Sequence, residues 1–201
     1  TLALNAYDGI PSNAGVPITN IILDSSYWDP SPSDTWDSSV PTSLRSSGYL
    51  SETTALQVDG DRANPKLQVS PRSNDPVQAA GTAFAQALAA VGSATGQPNA
   101  PDPDTVTLTK GTAPSGASQL AFVKSQPVSV LVKQMLRQND DTLAEMLARI
   151  VSKQEGRGGG LDSIQQAITT ARGKDGVYTS DLTIDDGSGE SDESQIPPQF
   201  M

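Results

Sequence analysis

Apolar residues recur at helical spacing in several stretches of the chain. The plainest lies at 75–91, where Val77, Ala80, Phe84, Ala87, Leu88 and Val91 step by threes and fours onto one face. Asp75 can cap this helix, Pro76 suits its first position, and Gln78 stands where a capping box needs it. Gly92 is expected to stop it. Over 128–151 two further helical patterns abut: Val128, Leu131, Val132, Met135 and Leu136, then Leu143, Met146, Leu147, Ile150 and Val151. The break between them is polar, Gln138-Asn139-Asp140-Asp141, and Thr142 with Glu145 has capping-box spacing for the second helix. Two buried helices joined by so short a turn put that turn at the rim of whatever they pack against. Ile164, Ala167, Ile168 and Ala171 mark a last helix, expected to end at Gly173.

Extended pieces are shorter. Residues 17–23 are rich in β-branched side chains, 55–58 read as a strand closing on the turn Asp59-Gly60, and 66–69 could pair with it. Residues 105–109, 119–124 and 177–184 read as strands as well. Between these lie a turn-rich opening at 1–16, a Pro/Asn-rich link at 96–103 and a flexible Gly connector at 156–160. Residues 24–54 are crowded with Ser, Asp, Pro and Thr, yet they hold Trp28, Trp36 and Tyr49 and so read as an ordered loop pinned by those rings. No internal repeat is present. The fold class expected is α+β, with an irregular segment at 1–16, β-rich material carrying one helix at 17–114, and a mainly helical part at 115–201.

Composition narrows the chemistry. Of 201 residues, 35% are hydrophobic and 4% aromatic, so the core must be built mainly of Ala, Val, Leu and Ile. The 13 basic and 23 acidic residues leave a formal charge of −10, which argues against a nucleic-acid partner. Histidine and cysteine are absent, which excludes a Ser-His-Asp triad, a Cys-His dyad, an imidazole or thiolate metal site and any disulfide. Catalysis, if any, falls to Ser, Thr, Lys, Asn or carboxylates. No run approaches the roughly 18 apolar residues of a membrane-spanning helix. A start at Thr1 and a stop at Pro198-Gln199-Phe200-Met201 read as a processed or trimmed piece of something longer.

Four features could carry chemistry. Gly156-Arg157-Gly158-Gly159-Gly160 lacks the Lys-Ser/Thr ending and preceding strand of a phosphate loop, so it reads as a linker. The acidic run 181–193 offers oxygens for calcium but not the EF-hand spacing, so a solvated turn is favoured. Lys110-Gly111-Thr112 could bind a carboxylate, though its setting is that of a turn. Asn139-Asp140-Asp141 is, taken alone, a helix start with acids near the positive dipole end.

Read together, Thr109-Lys110-Gly111-Thr112-Ala113-Pro114-Ser115-Gly116-Ala117, residues 128–149 and Asp186-Gly187-Ser188-Gly189 resemble penicillin-binding proteins of the D-alanyl-D-alanine carboxypeptidase/endopeptidase type, the class C low-molecular-mass group. Ile21-Ile22-Leu23-Asp24-Ser25-Ser26-Tyr27-Trp28, Gly48-Tyr49-Leu50 and Ala55-Leu56-Gln57-Val58-Asp59-Gly60 fit the same order. The resemblance implies part of a transpeptidase-like domain, its helical lobe, with a β-rich domain inserted. It implies a Ser-Lys mechanism on peptidoglycan stem peptides, with β-lactams as inhibitors, no cofactor or metal, and a place outside the cytoplasmic membrane.

The family uses Ser-x-x-Lys, Ser-x-Asn and Lys-Thr-Gly. No serine here is followed three positions later by lysine, and no Lys-Thr-Gly follows residue 141. Asn139 stands where the resemblance expects the middle motif's Ser, and Asp141 where it expects the Asn. Loss of the relay hydroxyl alone is worth about 10²- to 10⁴-fold in rate. Two expectations follow: the central portion of a carboxypeptidase, inactive by itself, or a degenerate relative serving as a cell-wall or protein-binding module. Asn139 and Asp141 are the candidate site residues, expected at a cleft lip.

Overall fold

The computed structural model describes residues 2–28 and 42–198. Trp36, expected to help pin the 24–54 loop, lies outside them. The chain is α+β: helices α1 (Leu2–Asp8), α2 (Thr42–Ser47), α3 (Pro76–Thr95), α4 (Val128–Gln138), α5 (Asp141–Gln154) and α6 (Leu161–Lys174), with strands β1 (Asn20–Leu23) and β2 (Thr107–Lys110). Packing divides it into two units, residues 1–25 with 77–125, and residues 26–76 with 126–201.

In the first unit β1 and β2 pair in parallel, Asn20 opposite Thr107 through Leu23 opposite Lys110. Parallel neighbours need a crossover, and α3 lies within the one that joins them. The face α3 buries is Val77, Ala80, Gly81, Ala85, Leu88 and Gly92. Phe84, expected on that face, is 49% exposed. The reason is steric: small residues let the helix approach the strand. A Cβ on Gly81 would stand 2.6 Å from the Leu23 methyls, and one on Gly92 would collide with the Ala100 side chain.

Gly92 therefore serves close approach and does not end α3. The stop comes at Gly96, which takes φ +68°, while the Gln97 N–H bonds the Gly92 carbonyl at 2.9 Å. That is the left-handed helix ending with its bond from two residues past the cap. Leu4 of α1 is fully buried, although 1–16 reads as irregular in sequence. Asn99 ties the opening segment down, donating to Asp8 and to the Asn13 carbonyl.

The second unit differs in its interior. Trp28, Leu50, Ile164, Ala167 and Leu182 are buried, but so are Ser51, Glu52, Thr53, Thr54, Asp61, Asp140, Asp141, Thr142, Glu145, Arg149, Ser152 and Asp186. Helix α6 turns Ile164 and Ala167 inward and runs through Gly173 to Lys174. Residues 156–160 link α5 to α6 as expected, but tightly: Gly159 has φ +88°, and a Cβ there would meet the Trp28 ring at 2.9 Å. Helix α4 holds no buried residue, with Val128 64% and Leu136 72% exposed. Helix α5 buries Asp141, Thr142, Glu145, Arg149 and Ser152 instead of the expected apolar face, whose Ile150 and Val151 are exposed, so neither helix buries the stripe expected of it.

Four expected strands are absent. Residues 55–58 and 66–69 run as bends and turns, with a single bridge between Arg62 and Arg72. Residues 119–124 have no pairing strand and lie exposed, with Lys124 over the Phe122 ring. Residues 177–184 retain only the bridge Thr183–Gln195. Short β-branched runs become strands only where a partner supplies the ladder.

The two helical glycines separate packing from propensity. Gly92→Ala is expected to destabilise by about 1–2 kcal/mol, because overpacking against Ala100 exceeds the helix-propensity gain of about 1 kcal/mol. Gly173→Ala, with nothing within 4 Å, is expected to stabilise by about 0.5–1 kcal/mol. Urea midpoints of the two variants against the parent read both signs.

Candidate functional site

The site is built around the elbow between α4 and α5. Helix α4 ends because Asn139 enters the left-handed region (φ 48°, ψ 57°), and the Asp140 N–H bonds the Met135 carbonyl at 3.1 Å. Asparagine tolerates that backbone better than other residues with a Cβ. Asp140 then caps α5: its Oδ1 accepts from the Leu143 N–H at 3.1 Å. Thr142, expected as the cap, lies one residue inside the helix. Its Oγ1 instead accepts from the Ser51 N–H at 3.3 Å.

Arg62 and Arg72 approach the elbow from the 59–73 loop. Arg62 pairs with Asp140 at 2.9 Å, both side chains largely buried. Arg72 donates Nε to the Gly48 carbonyl at 3.1 Å, Nη2 to the Tyr49 carbonyl at 2.9 Å and Nη1 to the Gly60 carbonyl. Burial and the nearby Arg62 charge lower its pKa to about 10, against the pull of Asp140, Asp61 and Asp141. The loop turns through three successive residues of positive φ, Asp59, Gly60 and Asp61. Asp61 is held there by the Ser73 N–H and hydroxyl, each at 2.8 Å, and its burial raises its pKa.

Asp141 follows the cap and is only 7% exposed. Asn139 Nδ2 donates to its Oδ1 at 3.3 Å. Burial first, then the charges of Glu190, Asp140 and Asp186, push it up to about 6, opposed by Arg72. Glu145, one turn on, is fully buried; it accepts Arg149 Nε at 2.8 Å and the Gly187 N–H at 2.6 Å. Burial raises its pKa and Arg149 opposes the rise. Its expected capping role gives way to this tie.

Gly187 belongs to Asp186-Gly187-Ser188-Gly189, and any Cβ there would collide with Ala148. Asp186 accepts from Ser188 Oγ, from the Glu190 N–H at 3.1 Å and from Ser194 Oγ at 3.3 Å, while Asp185 accepts Ser191 Oγ at 2.6 Å. The acidic run is thus an internally bonded turn rather than a solvated one. Among the described residues no group of three or more carboxylates is arranged to hold a metal ion.

A cavity of about 490 Å³ opens beside the elbow, between Asp59, Gly60, Arg62, Lys66 and Leu67 of the loop and Leu131, Gln138, Asp140, Thr142, Leu143 and Met146 of α4 and α5. Asn139 is exposed and Asp141 buried; neither is among the residues lining this cavity. Sequence reasoning missed Arg62 and Arg72, and gave Asp140 and Glu145 only roles at a helix start. The available signal was two arginines ten positions apart in an acidic chain, set against acids at the elbow.

The model of the D-Ala-D-Ala carboxypeptidase 3 (S13) family matches residues 34–201. Carboxypeptidase DacB of Mycolicibacterium smegmatis is 28% identical over 183 residues, covering 90% of this chain and 36% of that protein. A carboxypeptidase of Mycobacterium tuberculosis is 28% identical over 193 residues, covering 94% of this chain and 37% of that protein. The chain therefore spans a little over a third of the length of these relatives. No solved structure matches it.

Asp141 makes the stability of the elbow fall as pH rises. Its folded-state pKa lies above the unfolded value, so the folded state binds the proton more tightly. The resulting loss begins near pH 4, where the unfolded carboxyl ionises, and is complete above about pH 6. Asp141→Asn is expected to match the parent at about pH 3.5 and to exceed its stability by about 1–2 kcal/mol at about pH 7.5. Urea unfolding across that range checks it, and a difference independent of pH contradicts it.

Proposed function

Since the chain belongs to the D-Ala-D-Ala carboxypeptidase (S13) family, we propose that it is one portion of a serine-type D-Ala-D-Ala carboxypeptidase/endopeptidase that acts on peptidoglycan stem peptides and is acylated by penicillin. One observation carries this reading: a single family match runs through 34–201, and so through both the elbow and the Asp186–Gly189 turn that Glu145 ties to it. In this reading the helical elements of 115–201 contribute to a transpeptidase-like domain. The inserted domain of this reading lies within 17–114, and the packing of 77–125 with 1–25 as a unit of its own supports a separate body there.

Asn139 and Asp141 occupy the altered Ser-x-Asn positions, and the nucleophile and its lysine base come from family sequence outside these 201 residues. A hydrolase of this kind forms an acyl-enzyme and needs a base within hydrogen-bond reach of the nucleophile. The 201 residues hold no Ser-x-x-Lys pair, so alone they are inactive. The substrate class places the whole protein outside the cytoplasmic membrane. Among the described residues no helix is long and apolar enough to cross a membrane.

A second reading, a degenerate relative that binds cell wall or another protein, is favoured by one feature. Where a relay hydroxyl is needed, Asn139 gives its amide to a buried carboxyl that sits among other acids. Covalent labelling by a fluorescent penicillin separates the two. The 201-residue chain is expected to show neither labelling nor D-Ala release, whereas a form extended to the length of the relatives is expected to show both. An extended form that stays unlabelled at saturating drug supports the binding module, and turnover by the 201 residues alone overturns both readings.

A further inference from the structure

The cavity beside the elbow is built wholly from the second unit, and the catalytic reading makes no use of it, since neither Asn139 nor Asp141 lines it. Its volume of about 490 Å³ lies in the range of small-ligand sites, roughly 300–1,000 Å³. One wall is fixed: Arg62 donates Nε to the Gln68 carbonyl at 3.3 Å and pairs with the buried Asp140 at 2.9 Å, so these two charges answer one another. Two further charges line the same cavity and do not. Neither the Asp59 carboxylate nor the Lys66 ammonium has an ion pair or hydrogen bond among the described residues, and they do not pair with each other. Their backbones are held. Asp59 opens the run of three positive-φ residues, its carbonyl accepting from Arg62 Nη1 at 3.0 Å, and the Lys66 N–H donates to Asn64 Oδ1 at 3.1 Å.

A cation and an anion left unpaired on one cavity suit a ligand that carries both signs. The uncharged lining says which kind. Gln68, Gln134 and Gln138 each bring a side-chain amide, two donors and an acceptor oxygen, which complements the groups a peptide bond offers. None of the three amides is otherwise engaged among the described residues. Leu131, Leu143 and Met146 supply an apolar side. No aromatic ring is among the lining residues, so the stacking that holds a nucleobase is not offered. We propose that this cavity binds a short zwitterionic peptide, its carboxylate on Lys66, its ammonium on Asp59, its amides on the glutamines and an aliphatic side chain against Leu131, Leu143 and Met146. The site stands whether or not an extended form of the protein is acylated.

Titration of the isotope-labelled 201-residue chain with alanyl-leucyl-alanine, followed by amide chemical shifts, tests it at about pH 6.5, where both peptide termini are charged. Saturable shifts are expected within 59–68 and 131–146. Acetylating the peptide amine and amidating its carboxylate are each expected to weaken binding about three- to fivefold, the size of an exposed ion pair. Two variants assign the charges. Lys66→Gln is expected to abolish the cost of amidation and keep that of acetylation. Asp59→Asn, which retains a residue suited to positive φ, is expected to do the reverse. Acetyl-Lys-Leu-Glu-amide carries both charges on side chains. Binding as tight as that of the free tripeptide assigns the site to an internal segment, and weaker binding assigns it to free peptides; either result supports the site. No saturable shift up to about 10 mM peptide overturns it, as do equal affinities for the free and doubly blocked peptides. A cost of amidation that survives Lys66→Gln, or of acetylation that survives Asp59→Asn, overturns it equally.

Discussion

The second unit depends on a carboxylate with no access to water. Glu145 is fully buried, and an isolated charge in such a place is costly by several kcal/mol unless it is paired and hydrogen-bonded. Arg149, one turn along α5, supplies the charge, and the Gly187 N–H supplies the second bond. Each partner then constrains more of the chain. Arg149 is itself buried, so α5 cannot rotate without exposing a charge pair. Gly187 must remain a glycine because Ala148 occupies the space of any Cβ, which fixes how closely the acidic turn approaches the helix.

This makes the two units unlike in what holds them. The first is held by small apolar surfaces: Leu23 against Gly81, Ala100 against Gly92, and Leu4, Val77, Ala85 and Leu88 buried. Its stability depends on shape, and each added methyl is felt. The second buries more polar than apolar side chains and pairs many of them, Thr142 with the Ser51 N–H, Ser152 with Ser163, and Asp61 with Ser73. The Thr53 hydroxyl and the Trp28 indole N–H are buried without a partner among the described residues. Such an interior is sensitive to pH and to loss of single partners, because each orphaned group keeps its desolvation cost.

What could be read in the sequence was the local part. The start of α3 at Pro76, the course of α5 and α6, and the polar break at 138–141 all follow from periodicity and capping, which are properties of neighbouring residues. What could not be read was decided at a distance. Phe84 has the right spacing for the buried face of α3, yet glycines and alanines take that face because Leu23 must come close. Residues 55–58 and 66–69 have strand-like composition but find no ladder, and their loop instead delivers Arg62 and Arg72 to the elbow. Glu145 carries the spacing of a capping residue; its burial becomes visible only once Gly187 is seen against it.

The family match joins segments that this interior also joins, since it covers the elbow and the Asp186–Gly189 turn in one alignment. At that elbow the helix-to-helix turn is made by Asn139, suited to the left-handed region, and by Asp140, which caps α5. A double-mutant cycle between Glu145→Gln and Arg149→Met, followed by urea unfolding at about pH 7, tests the underlying claim most directly. Coupling of about 2 kcal/mol or more is expected, since each single change leaves a buried partner unsatisfied and the pair does not. Coupling near zero would mean that the buried pair does not organise the elbow and the turn.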